Sequence, residues 1–497
     1  MSNIIKATTI NNNHIEFVDK IIGAGGMKDV YFSPDRSYVV EFFRDRQDFQ
    51  VKERLVSITG QYHASIFNQN GGNYWKNLFC WPTDVIEFNG KLGVVAPAYQ
   101  KHFYFEWGSN NNDFLNIKGH EKEGKWFASA SNQNRFLDLR EQGDWLNYFR
   151  ISILLARSVK RLHAAGLAHS DLSYKNCLVD PVGGNACIID IDSLAVPGKY
   201  PPDVIGTPDF IAPEVVMTNH LPKENRSLPC IATDRHALAV LIYMYLLYRH
   251  PLRGDKIHDH DPQADETFSM GSKALFIEHP TDRSNCIKIA NVKRSELPQH
   301  DTNKRPYKLT GPYLVPLFDR AFIEGLHNPA NRPTADDWER ALVKTVDLIQ
   351  PCFNHNCKQK WYVFDNTTKP SCPFCGTPHR GKLPVLNLYS SRREGNFRPD
   401  NHRLMVYTNQ SLFPWHINRN IFPNERLTDE QKRRVGYFVL HNGSWWLINE
   451  NMPDLMIADT KTLIRIGEKV ELKDDLKLLF SREDGGRLVV VQMVDSQ

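Results

Sequence analysis

Several features that would settle the class of this chain at once are missing. No apolar run is long enough to cross a bilayer: the longest, residues 237–248 (ALAVLIYMYLLY), falls well short of the ~20 residues needed and is ringed by Arg235, His236, Arg249 and His250. It reads as a buried helix, and no membrane partner is expected. An excess of one charge is also missing. The 61 Lys and Arg face 57 Asp and Glu, a net +4 over 497 residues, too weak a field for a nucleic-acid binder. The opening MSNIIKATTINNN lacks the positive start and apolar block of a secretory signal, so a cytoplasmic location is expected. Cysteine is sparse, with nine in all; Cys80, Cys177, Cys187, Cys230 and Cys286 stand singly, which speaks against a disulfide framework. There is no internal repeat.

What is present is apolar material for more than one core, 41% of the residues, in a length that suits about three domains. From Ile15 to about Phe105 the pattern is strand-like (IEFVDKII, DVYF, YVVEFF, KLGVVAPAY) with Gly, Pro and Asp turn signals. One helical stretch, residues 48–67, interrupts it with Val51, Leu55 and Ile58 at helical spacing. Residues 106–144, rich in Asn, Gly and Ser, read as an insertion. A helical lobe then begins at about Trp145, where Ile151, Leu154, Leu155, Val159 and Leu162 form one stripe that ends at Gly166. Further helices are expected over 232–248 and 334–350, with long polar connections over 253–312. The stretch LPVLNLYSSRREGNFRPDNH reads as a linker, after which YFVLHN, WWLINEN, LIRIG, VELKD, LKLLFS and LVVVQMV follow one another as a small all-β sandwich.

Between two strands stands Gly23-Ala24-Gly25-Gly26-Met27-Lys28-Asp29-Val30, a hairpin whose glycines let backbone N–H groups approach phosphate oxygens. Alone this is a weak signal, since many Gly-rich hairpins are only turns. Three further segments follow in order: His169-Ser170-Asp171-Leu172-Ser173-Tyr174-Lys175-Asn176, then Ile188-Ile189-Asp190-Ile191-Asp192, then Gly206-Thr207-Pro208-Asp209-Phe210-Ile211-Ala212-Pro213-Glu214. Together they resemble the glycine loop, catalytic loop, metal-binding triplet and APE segment of protein kinases. The resemblance spans roughly residues 15–348 and includes Asp234 and Arg332. It implies a bilobal α+β kinase fold over residues 1–350, with an N-lobe of about 15–105 and a C-lobe of about 145–348. It also implies that Asp171 orients the attacking hydroxyl and accepts its proton, and that Asn176 and Asp190 hold Mg²⁺ (or Mn²⁺) against the phosphates of ATP. Val30 and Val39 would sandwich the adenine, with Ala96, Pro97 and Ala98 in the hinge. Asp234 would brace the catalytic loop, and Arg332 would pair with Glu214.

The chain departs from that pattern at the third strand. Where kinases keep a lysine for the α- and β-phosphates, Tyr38-Val39-Val40-Glu41 places a carboxylate. Two like charges about 4 Å apart repel by roughly 4 kcal/mol at a surface-like dielectric, so Glu41 cannot simply face a triphosphate. Arg44 has the opposite strand parity. Lys28, in the place of the loop's third glycine, has a stem long enough to bend into the site, and GGMKDVY resembles the with-no-lysine kinases in this respect. Glu53 on the intervening helix is then its expected ion-pair partner. The alternative is an exposed Lys28 in a nucleotide-binding pseudokinase that serves as a scaffold. Ser170 replaces the usual arginine, so an activation-loop phosphate would lack its docking cation. Lys175 stands where it can neutralise the transferring phosphate, and Asp192 either adds a second carboxylate near the metal or caps a turn.

The other four cysteines form Cys352-x4-Cys357 and Cys372-x2-Cys375. Four thiolates suit tetrahedral Zn²⁺, and residues 351–380 read as a zinc ribbon with too little core to fold without the metal. Residues 383–497 weakly resemble an FHA-type sandwich. Arg419 and Asn424 are its possible phosphate contacts, a solvated loop being the alternative. Kinase, ribbon and FHA-like end together resemble the kinases of bacterial tellurium-resistance-associated gene clusters. That resemblance implies serine/threonine phosphorylation of the chain itself and of protein partners, among them a von Willebrand A-type protein and a PP2C-type phosphatase.

Overall fold

The computed structural model describes residues 3–495 except 25–26, 69–70, 197, 203, 368 and 392–394. The chain forms two compact units, one of residues 1–143, 147–306 and 316–339, the other of residues 144–146, 307–315 and 340–497.

The first unit opens with a hairpin of β1 (Ile4–Thr8) and β2 (His14–Val18). A five-stranded antiparallel sheet follows, built from β3 (Gly23–Ala24), β4 (Lys28–Phe32), β5 (Tyr38–Phe43), β6 (Asp84–Phe88) and β7 (Lys91–Pro97) in the order β3-β4-β5-β7-β6. β1 precedes the expected start of the strand region, and β6 was not anticipated. On one face Ile15, Phe17, Val40, Phe42, Ile86 and Val95 close a core, with the Phe17 ring 5.6 Å from those of Tyr31 and Phe42. On the other, Phe43, Leu55, Val85, Leu92 and Val94 pack with Val51, which seats α1 (Phe49–Ser57). The Asp48 carboxylate caps α1 by accepting the Val51 N–H at 2.9 Å. The helical path continues through a widened turn, Ile58–Tyr62, to His63–Phe67, over the stretch that the periodicity marks.

The helical part holds α2 (Trp145–Ala164), α3 (Ile231–Leu247) and α4 (Ala335–Val346). α3 is apolar all round and buried along most of its length, as a helix without a polar face requires. Among the described residues no helix is long and apolar enough to cross a membrane. A short hairpin of β8 (Cys177–Asp180) and β9 (Asn185–Ile188) carries the chain from the His169 segment to Asp190. The connections over 253–312 contain one helix, Pro262–Met270, and several single turns.

The second unit pairs β10 (Ile349–Pro351) with β11 (Trp361–Val363) and then builds two antiparallel sheets. The six-stranded sheet holds β12 (Leu383–Ser391), β13 (Phe397–Met405), β17 (Met456–Ile457), β18 (Thr462–Leu463), β20 (Lys477–Leu479) and β21 (Arg487–Val494). The four-stranded sheet holds β14 (Ser411–Leu412), β15 (Gly436–His441), β16 (Ser444–Asn449) and β19 (Lys469–Glu471). Leu386, Leu404, Phe480 and Val491 of the first sheet region share one core with Leu412, Phe438, Leu447 and Val470 of the second. β15 and β16 turn on Asn442 and Gly443, both at positive φ (51° and 79°), the twist that a two-residue hairpin favours.

The expected linker is corrected here. Residues 383–391 and 397–405 are β12 and β13, and β12 lies between β13 and β21 inside the larger sheet. Its run LPVLNLYSS is buried on both faces, so it lacks the alternation that marks a half-exposed strand. The cysteine-rich piece is also less isolated than expected: Cys357, Tyr362, Phe364 and Cys372 share a core with Leu383, Val385 and Met405.

Leu447 is fully buried between the two sheets. Leu447→Ala should therefore destabilise the second unit by about 2–5 kcal/mol, read as a lower urea midpoint in tryptophan fluorescence.

Candidate active site

α3 begins the site. Asp234, buried in its first turn, accepts the N–H groups of His169 at 2.7 Å and Ser170 at 3.1 Å, and lies 3.1 Å from His163 Nε2. Ser170 is held at φ +65°, a conformation that costs a non-glycine residue of order 1 kcal/mol or more. The buried carboxylate takes the two N–H groups that this turn exposes, so the loop's shape is set from α3, as the resemblance implies.

The turn presents Asp171. Its Oδ2 accepts the Asn176 amide at 2.9 Å, and the same amide reaches the Asp171 carbonyl at 2.8 Å. Its Oδ1 accepts the hydroxyl of Thr207 at 2.7 Å, which shows that an alcohol can reach this oxygen. Gly206, at φ +116°, brings Thr207 there; an added side chain would be strained. Lys175 is exposed, with its N–H on Ser173 Oγ at 3.2 Å.

β9 delivers Asp190, which sits at φ +62°. His169 Nε2 donates to the preceding Ile189 carbonyl at 2.9 Å and ties the two segments together. Ile191 is buried as an apolar plug. Asp192 takes neither expected role first: its Oδ2 lies 2.7 Å from Lys28 Nζ.

The sheet explains how Lys28 gets there. In the β4–β5 register Lys28 stands opposite Phe43 and Val30 opposite Glu41, so Lys28, Val30, Glu41 and Phe43 share a face with Val39 and Ala96. Lys28 and Glu41 are diagonal neighbours, and Nζ is 2.8 Å from Glu41 Oε2 and 3.8 Å from Asp190 Oδ1. The Lys28 side chain is only 12% exposed, so it is no solvated loop lysine. Arg44 points the other way, onto Asp29 at 2.7 Å. Gly23 pairs with Val30; Gly25 and Gly26, the other expected loop glycines, lie outside the described residues. At the expected hinge, the Ala98 N–H donates to Ser37 O at 3.1 Å, and the Pro97 carbonyl accepts from Cys80 Sγ at 3.2 Å.

These charges tune one another. Burial opposes a charged Lys28, but Asp192, Glu41 and Asp190 outweigh it and hold the ammonium well above its usual range. Burial and the charge of Asp192 push the Asp190 carboxyl up to about 6, with Lys28 opposing. Burial would raise Asp192 as well, yet Lys28, with help from Arg54, keeps it below the usual carboxylate range.

The structure does not bring Glu53 to Lys28. Glu53 is exposed on α1, whereas the next residue, Arg54, is buried and acts on Asp192. A signal for Arg54 was available: it is three residues past Val51 and four before Ile58, on the buried stripe that Glu53 misses. Arg332, 1% exposed, makes paired 2.7 Å bonds to both carboxylate oxygens of Glu214 and donates to the carbonyls of Gly325, Leu326 and Ala232.

Two metal sets can be tested against the geometry. Asn176 spends its amide N–H on Asp171, which leaves its side-chain oxygen, with the Asp190 carboxylate, as hard donors of the kind Mg²⁺ prefers. In the second unit the Sγ atoms of Cys352, Cys357, Cys372 and Cys375 all lie within 4.8 Å of one another, with Cys352 to Cys375 at 3.4 Å and Cys357 to Cys372 at 3.9 Å. Tetrahedral zinc bonds to sulfur of about 2.3 Å place sulfurs about 3.8 Å apart, so the cluster fits. In the sandwich, Arg419 is committed to Ser390 at 3.1 Å and Asp400 at 3.6 Å, and Asn424 Oδ1 accepts the Arg426 N–H.

No protein-family model matches the chain. Among curated proteins it is similar to a Caenorhabditis briggsae protein described as cAMP-dependent protein kinase, catalytic subunit-like, at 24% identity over 251 residues, 43% of this chain and 63% of that one. It is also similar to the Saccharomyces cerevisiae protein named probable serine/threonine-protein kinase RTK1, at 30% identity over 154 residues, 29% of this chain and 22% of that one. The chain thus spans less than two thirds of the length of either relative. Among solved structures, the kinase domain of a Toxoplasma gondii specific rhoptry antigen aligns with a TM-score of 0.39 at 11% identity, over 69% of this chain and 86% of that one.

Removing Arg332 strands Glu214 and three carbonyls. Arg332→Met should lower stability by about 3 kcal/mol, seen as a lower melting temperature of the first unit, with a matching loss in Glu214→Gln.

Proposed function

We propose that the first unit is a protein serine/threonine kinase that moves the ATP γ-phosphate to hydroxyls on proteins, including its own chain, with Lys28 as the cation that grips the phosphates. The observation that carries this reading is the inward Lys28 ammonium, beside Asp190 and above Glu41, where it offsets the carboxylate that replaces the strand lysine. Similarity to named protein kinases supports the reaction class. Asp171 takes the proton of the incoming alcohol, and Asn176 and Asp190 are the oxygen donors for Mg²⁺ or Mn²⁺, which when bound neutralises phosphate charge. Val30, Val39 and Ala96 form the apolar wall on the Lys28 face. Lys175, four residues past Asp171 and exposed, is free to meet the transferring phosphate. Partners of von Willebrand A and PP2C type, implied by the sequence resemblance, enter as substrates of this transfer.

A second reading is an ATP-binding pseudokinase scaffold, favoured by one observation: the Lys28 ammonium is engaged by the carboxylates of Asp192 at 2.7 Å and Glu41 at 2.8 Å. In the second unit we read the cysteine cluster as a structural zinc site and the sandwich, FHA-like by sequence, as a protein-binding module.

Radiolabel transfer from ATP separates the two readings. Wild type should label itself or a protein partner, and Asp171→Asn should lose on the order of 100-fold or more while still binding nucleotide. Nucleotide binding without any transfer by wild type would establish the scaffold instead. For the cysteine cluster, elemental analysis should find about one zinc per chain, lost in Cys372→Ser together with thermal stability of the second unit.

A further inference from the structure

In the described structure Lys28 Nζ sits in a cage of carboxylates: Asp192 at 2.7 Å, Glu41 at 2.8 Å and Asp190 at 3.8 Å. An ammonium has three N–H donors and no acceptor. Two of these donors lie at hydrogen-bonding distance from the nearer carboxylates, and the cage as a whole carries more negative than positive charge. A nucleotide arriving without metal meets that surplus, and the lysine that should receive its phosphates is already engaged. Asp190 belongs both to this cage and to the donor set that suits a divalent cation. Asp190 and Asn176 would hold a dication whose charge would offset this surplus, and Lys28 would then be released from Asp192 toward a phosphate.

We propose that Asp192 is a positioning residue that parks Lys28 between the carboxylates, so that nucleotide is admitted only together with a divalent cation. The proposal rests on the reading of the first unit as a nucleotide site and deepens it. Asp192 stands at the third position of the Asp190-Ile191-Asp192 triplet, and its side chain is the one that holds Lys28.

Calorimetry on the full chain with a non-hydrolysable ATP analogue, in EDTA and in Mg²⁺, tests the idea. Wild type should bind about 100-fold more tightly with Mg²⁺. In Asp192→Asn the metal-free affinity should rise by about 10-fold and the gain from Mg²⁺ should shrink by the same factor; Asp192→Glu should restore wild-type behaviour. If metal-free affinity falls in Asp192→Asn, or the Mg²⁺ gain is unchanged, Asp192 is only a structural partner and the proposal is overturned. If wild type binds no analogue under any condition, the nucleotide reading itself fails, and this outcome is distinct from the others. Should Asp192→Asn not fold, wild type alone decides through amine labelling without nucleotide. Lys28 should be protected in EDTA and labelled several-fold faster with Mg²⁺ alone, and equal labelling in both overturns the proposal.

Discussion

One ammonium organises the first unit. Lys28 joins the loop strand β4, the neighbouring strand β5 and the Asp190 segment of the helical part through contacts to Glu41, Asp192 and Asp190. Asp192, buried with only 8% of its side chain exposed, depends most on the ammonium, because a buried charge without a partner loses hydration that nothing returns. The lysine is equally dependent on these carboxylates: burial alone would drive it neutral. The cluster is therefore mutual, and it explains how a strand can carry Glu41 on the face that a nucleotide would meet. Removing any one member changes the charge seen by all the others.

A second constraint shapes the loop opposite. Ser170 and Asp190 both adopt left-handed backbone conformations, which non-glycine residues hold only when their surroundings fix them. Asp234, planted in the first turn of the most deeply buried helix, supplies that fixing through the His169 and Ser170 N–H groups. His169 in turn bonds the carbonyl just before Asp190. The carboxylates of Asp171 and Asp190 thus inherit their positions from a buried apolar helix, and Asn176 and Thr207 each stand within hydrogen-bonding distance of Asp171.

Much of this was legible in the chain. The order of motifs, the apolar stripe of α2, the buried α3 and the four-cysteine spacing all rest on local patterns, and local patterns survive translation into structure. Asp192 was visible as a second carboxylate beside Asp190 or a turn cap, but not as a partner for Lys28. Glu53 was chosen because it was the acidic residue at hand on α1, yet helical phase turns it to solvent and turns Arg54 inward. The segment 383–402 was read as a linker because Pro, Ser, Arg and Gly dominate its middle and its ends lack alternation. A strand buried on both faces has no reason to alternate, and only its pairing with β13 and β21 reveals it.

The amino-acid order by itself determined which residues are available for chemistry: an acid at 171, an amide at 176, paired acids at 190 and 192, a lysine at 28 and thiols at 352, 357, 372 and 375. It also determined that position 41 brings a carboxylate where a cation was expected. Only the tertiary structure decided which charges meet, because residues 28 and 192 are 164 positions apart in the chain and 2.7 Å apart in space. Sequence spacing reports neighbours within a helix or strand; strand register and the packing of the sheet against the helical part set the distances between elements, and Coulomb energy acts on those distances.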